Sequence, residues 1–182
     1  MPPCTDFTWG RRRCRPCPQL LMRWMSGRAW CRWPSRILSE FVDGTLWGLN
    51  QISDADIDAP EGWDIRNSAG NLIVAVVDTG IRYTHQDLAA NMWRNPNEIA
   101  GNGVDDDGNG LVDDVYGCNA YGRNGNPMDD NGHGSHCSGT IGGVGNNGVG
   151  VTGVAWGVKL MACKFLSSTG SGADSDAVTC ID

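Results

Sequence analysis

The sequence is 182 residues long and 40% hydrophobic, with 26 glycines and a formal net charge of −7. That length suits one domain of ordinary size and is short for two, and the absence of an 18-residue apolar run excludes a membrane-spanning helix. The charge joins two unlike segments: residues 1–36 carry eight of the 14 basic side chains against one acid, and residues 37–182 carry the other six against 20 acids.

Residues 1–36 mix Arg, Cys, Trp and Pro with neither a period of 2 nor one of 3.6, so they are expected to form an unstructured basic extension or leader. Arg11-Arg12-Arg13 could open a secretory signal, but Arg23 interrupts Leu20-Leu21-Met22 before a long apolar stretch forms. A basic tail can attract nucleic acid or acidic lipid, yet the missing periodicity argues against a folded binding module, and no nucleic-acid partner is expected. Cys14-x-x-Cys17 has no second close pair or histidine nearby, which leaves a zinc ligand set incomplete.

From about residue 37 the chain reads as a domain. Asp58 before Pro60-Glu61 marks a helix start. The apolar run Asn71 to Val77, ending at Asp78-Thr79-Gly80, suits a strand of a parallel sheet buried on both faces. Residues 101–132 are dense in Gly, Asn and Asp and read as a long loop. Gly134 to Ile141 opens a buried helix, Val158 to Leu166 forms a second buried strand, and Ser175 to Ile181 begins another helix. Strand, loop, helix, strand and helix in this order predict an α/β fold, a parallel β-sheet flanked by helices.

An acid at the carboxyl end of a buried parallel strand lies where open α/β sheets place their sites, and Asp78 is so placed. An isolated Asp-Thr-Gly also serves as a turn cap, and the same tripeptide occurs in aspartic proteases. His133 sits between Gly132 and Gly134, which permit a tight turn and keep bulk away from the imidazole. His136, three residues on, would share its helix face, so a two-histidine metal site is the rival; without a neighbouring Glu that rival has little support.

Val76-Val77-Asp78-Thr79-Gly80-Ile81 with His85-Gln86-Asp87-Leu88 resembles the aspartate motif of the subtilisin-like serine proteases. Asn131-Gly132-His133-Gly134-Ser135-His136-Cys137-Ser138-Gly139-Thr140-Ile141 resembles their histidine motif. The similarity runs over roughly residues 41–182, including Leu46 to Leu49, Ala59 to Trp63 and Gly153-Val154-Ala155, so residues 37–182 are identified as part of a subtilase catalytic domain. The resemblance implies a secreted, monomeric serine endopeptidase acting on proteins or peptides, with His133 as general base and Asp78 as the acid that orients it. The two lie 55 residues apart, farther than in compact subtilisins, and the acidic loop accounts for the difference. The nucleophilic serine, the oxyanion-hole asparagine and one wall of the specificity pocket would lie beyond Asp182, so the 182 residues alone are expected to be inactive and to fold poorly. Gly170-Ser171-Gly172 matches the segment that pairs with substrate backbone as an added strand.

The resemblance also implies calcium. Asp105, Asp107, Asn109 and Asp113 space oxygen ligands around Gly110 like the first part of an EF-hand loop, although position twelve is Tyr116; a solvated acidic loop is the alternative. Val144 to Val151 resembles the subtilase calcium loop, which assigns Asp87, Asn147 and the carbonyls of Val144, Val149 and Val151 to a second site. Cys137, four residues past His133, invites a thiol-protease reading, but a small buried side chain fits the family better. Cys163 and Cys180 could form a disulfide or remain two buried thiols. An inactive fragment and a calcium-binding remnant are the rival functions; the second leaves Asp78 and His133 unexplained.

Overall fold

The computed structural model of the protein describes residues 46–51 and 53–181. The basic extension expected over residues 1–36, with Cys14 and Cys17, lies outside the described residues.

In the chain the elements run α1 (Ala59–Trp63), β1 (Ser68–Asp78), a single 3₁₀ turn (Ala89–Asn91), β2 (Gly117–Asn119), α2 (His133–Gly142), β3 (Gly157–Lys164) and α3 (Asp174–Thr179). Pro60 sits in the first turn of α1, where its missing N–H costs nothing. Asp58 precedes that helix in a left-handed conformation, and its side chain does not cap it.

The three strands form one parallel sheet in the order β1-β3-β2. Ile73 to Asp78 pairs residue by residue with Lys159 to Lys164, and Cys118 lies opposite Cys163 on the other side of β3. The expected α/β architecture with parallel strands is therefore present. Central β3 is the most buried strand: Val158, Leu160, Ala162 and Cys163 are all within 1% of complete burial. With Val76, Ile81, Leu88 and Met92 the first three of these form the core, each large side chain contributing about 1.5–3 kcal/mol.

The expectation that Asn71 to Val77 is covered on both faces is corrected. Leu72 and Ile73 are 57% and 49% exposed, and only Val76 of that run is buried. β1 is an edge strand among the described residues, and α2 packs against the sheet there through small residues. The long acidic segment also contains a strand: Gly117, Cys118 and Asn119 join the sheet as β2. No helix of the described residues is long and apolar enough to cross a membrane.

Candidate active site

β1 delivers Asp78 to the carboxyl edge of the sheet, and α2 begins at His133. The two meet because α2 approaches the end of β1 without intervening side chains. A Cβ on Gly134 would come within 2.1 Å of the Gly80 carbonyl oxygen and 3.2 Å of Asp78 Cβ, so no other residue fits there without displacing backbone. The result is that His133 Nδ1 lies 2.9 and 2.8 Å from Asp78 Oδ1 and Oδ2. The carboxylate only accepts, so the proton belongs on Nδ1 and Nε2 is left unprotonated in the neutral ring. The Asp78 side chain is 13% exposed and that of His133 is 65% exposed, an anchored acid beside an accessible imidazole.

Hydrogen bonds made by Thr79, Asp129 and Lys164 hold this pair in place. Buried Thr79 donates its N–H to Asp78 Oδ1 at 2.6 Å and its hydroxyl to Asp129 Oδ1 at 2.9 Å, and it accepts the N–H of Gly134 at 2.9 Å. Asp129 caps the start of α2: its carboxylate accepts the N–H groups of Asn131, Gly132 and Ser135 and the Ser135 hydroxyl. Burial works against its ionisation, but the bonds from Gly132, Ser135 and Asn131 outweigh burial and lower its pKa to about 2. Lys164, buried at the end of β3, donates to the Thr79 and Leu166 carbonyls and to Asp130 Oδ1, each at 2.7 Å. Neither Asp129 nor Lys164 was singled out from sequence. The run Asp129-Asp130-Asn131-Gly132 just before a helix is a capping signal that could have found the first; nothing local marks the second.

His136, the partner in the rival metal reading, is exposed and stands outside the one ligand-type cluster that includes His133, which is formed with Asp78 and Cys137. Cys137 Sγ is 3.8 Å from His133 Nδ1. Burial and then the nearby Asp78 charge push its thiol pKa up, which opposes formation of a nucleophilic thiolate. Among the described residues no serine hydroxyl is bonded to the His133 ring.

Asn131 links this pair to the loop after β3, donating from Nδ2 to the Ser168 carbonyl at 2.8 Å. In that exposed loop the N–H groups of Gly170 and Ser167 bond to the carbonyls of Ser167 and Ser171. Gly170 has φ +77°, and a Cβ on Gly172 would meet the Phe165 carbonyl at 2.2 Å. The Gly170 carbonyl and both backbone groups of Gly172 have no partner among the described residues, so they form an exposed backbone edge.

The oxygen-rich segments fall in two places. Asp87, 2% exposed, accepts from Asn147 Nδ2 at 2.8 Å and from the Val151 N–H at 2.9 Å, and its own carbonyl accepts from the Val144 N–H. Val149 donates its N–H to Asn147 Oδ1, so the predicted residues adjoin one another, but through the N–H groups of Val144, Val149 and Val151 rather than the carbonyls expected as ligands. In the acidic loop, Glu98, Asp105 and Asp107 place oxygen atoms within 4.8 Å of one another. Glu98 was not singled out from sequence; its Oε2 is buried without a hydrogen-bond partner. Asn109 sits beside them, its Nδ2 donating to Asp114 Oδ2. Asp113 is directed elsewhere, accepting the N–H groups of Gly101 and Gly103.

The family model described as the subtilase family, peptidase S8, matches residues 69–182. Subtilisin-like protease 1 of Plasmodium vivax is 45% identical over 137 residues, which cover 75% of this chain and 21% of that protein. The protein of the same name from Plasmodium berghei is 42% identical over 137 residues, 75% of this chain and 22% of its own length. Thermitase of Thermoactinomyces vulgaris is 32% identical over 122 residues, covering 67% of this chain and 36% of the relative. The chain thus spans about a fifth of the length of the two Plasmodium relatives.

Proposed function

The chain belongs to the subtilase family, and on that footing we propose that it supplies the aspartate and histidine of a serine endopeptidase. The observation that carries this reading is the pair of 2.8–2.9 Å contacts between His133 Nδ1 and the Asp78 carboxylate, beneath an accessible ring. Asp78 fixes the tautomer and stabilises the imidazolium, and His133 takes the proton of a serine hydroxyl and returns it to the leaving amine. That serine lies outside the described residues. The free backbone edge at Gly170 and Gly172 supports substrate binding as an added strand, a mode indifferent to side chains and suited to protein substrates. Secretion is proposed from the family alone.

Calcium is proposed at two places. The buried Asp87 with Asn147 and the carbonyls of Val144, Val149 and Val151 would hold one ion once the Asn147 amide turned its oxygen inward. The orphaned Glu98 Oε2 beside Asp105 and Asp107 supports the other, with Asn109 contributing and Asp113 bracing the loop. An ion there supplies stability rather than chemistry.

Kinetics of the full-length protein on a peptide substrate test the catalytic reading. Asp78→Asn should lower kcat by on the order of 10⁴-fold and His133→Ala by about 10⁶-fold, the magnitudes known for triad removal in subtilisin itself. A loss below tenfold in either variant would contradict the assignment.

A further inference from the structure

Three cysteines far apart in sequence meet on the face of the sheet away from the aspartate–histidine pair's chemistry. β2 carries Cys118 and β3 carries Cys163, paired directly across the parallel register, while Cys180 comes from the C-terminal cap of α3. Their sulfur atoms all lie within 4.8 Å of one another, and Cys118 Sγ is 3.5 Å from Cys180 Sγ. All three are free thiols; Cys163 is 1% exposed and its S–H reaches the Cys180 carbonyl at 3.7 Å.

We propose that Cys118, Cys163 and Cys180 form a three-thiolate site for a soft or borderline d¹⁰ cation, zinc in the first instance. Tetrahedral zinc holds sulfur at about 2.3 Å, which places its ligand sulfurs roughly 3.8 Å apart. The Cys118–Cys180 separation of 3.5 Å lies just under that spacing, and no pair in the cluster exceeds 4.8 Å. A disulfide, at about 2.05 Å between sulfurs, would use two of the thiols and leave the third buried with no role. Thiolates are the ligands that favour zinc over calcium or magnesium, so this site is chemically distinct from the acidic loop. Cys118 also lines a cavity of about 350 Å³ together with Leu111, Arg123 and Asp176, which gives an entry path and room for a fourth ligand. Binding displaces three thiol protons to solvent and leaves a complex of net charge −1, for which Arg123 at the cavity is a suitable neighbour. The ion would tie α3 to β2 and β3, and so fix the far end of the loop that carries Gly170 to Gly172.

Alkylation footprinting of the reduced full-length protein tests this, read cysteine by cysteine with and without zinc. Zinc-dependent protection of Cys118 and Cys180 together, with Cys137 still reactive and Cys163 shielded in both states, is the expected result. Cobalt in place of zinc should give an intense thiolate-to-metal absorption, and Cys118→Ser should weaken cobalt binding by on the order of 100-fold. Cys118→His retains a ligand and should recover most of that loss with a shifted spectrum, which separates ligation from a folding defect. Protection that is absent at micromolar zinc, or unchanged in Cys118→Ser, would overturn the site. So would a Cys118–Cys180 disulfide recovered from unreduced protein.

Discussion

Asp78 and His133 could be read from the sequence because their chemistry depends on local motifs: an acid ending an apolar run and a histidine flanked by glycines. Of the residues that hold them, Asp129 left a capping signal in the run before α2, whereas Thr79 and Lys164 act through groups of distant segments, and such contacts leave no periodicity behind. Asp129 makes a specific prediction. Its folded-state pKa of about 2 lies below the ordinary aspartate value of 3.8 expected in the unfolded chain, so its stabilisation is complete above about pH 4 and is lost as pH falls towards 2. Asp129→Asn lacks that charge and should be less stable than the parent by roughly 1–2 kcal/mol at pH 6. The gap should close as the pH of a urea titration is lowered to about 2. A gap that stays constant between pH 6 and pH 2 would show that the carboxylate is not held by those N–H groups.

At the scale of elements, β1, α2, β3 and α3 were legible because each combines an apolar or small-residue run with a punctuating Gly, Asp or Ser. The strand β2 was not, since three residues bounded by a tight loop carry no alternation to detect. The double burial of β1 failed for a related reason: an apolar run reports what can be covered, and neighbours in space decide what is. The acidic loop shows the same limit, with Glu98 entering from outside the spaced motif and Asp113 leaving it for the amides of Gly101 and Gly103. If an ion binds there, each tenfold rise in free calcium above the dissociation constant adds about 1.4 kcal/mol per site in the full-length protein. Asp105→Asn combined with Asp107→Asn should flatten the rise of Tm with calcium, and Asp87 with Asn147 should leave a residual slope. Magnesium at matched ionic strength should stabilise less, because it demands a tighter octahedral shell. Equal responses to the two ions, or an unchanged slope in the double variant, would mark the segment as a solvated acidic loop.

For the molecule as a whole, the parallel sheet fixes the end of β1 against the start of α2, so that the Asp78 carboxylate and an accessible imidazole meet. The family and the fold class were within reach of the sequence because both motifs are short and contiguous. The three-thiol cluster was not, since its members come from β2, β3 and α3 and only the register brings Cys118 opposite Cys163. Everything proposed about catalysis rests on His133 serving a serine. Labelling of the full-length protein with a fluorophosphonate probe addresses that directly, because the probe reacts only with an activated hydroxyl. The account predicts stoichiometric labelling of one serine outside residues 46–181, lost in His133→Ala. Labelling of a serine within those residues, or labelling that survives His133→Ala, would contradict it.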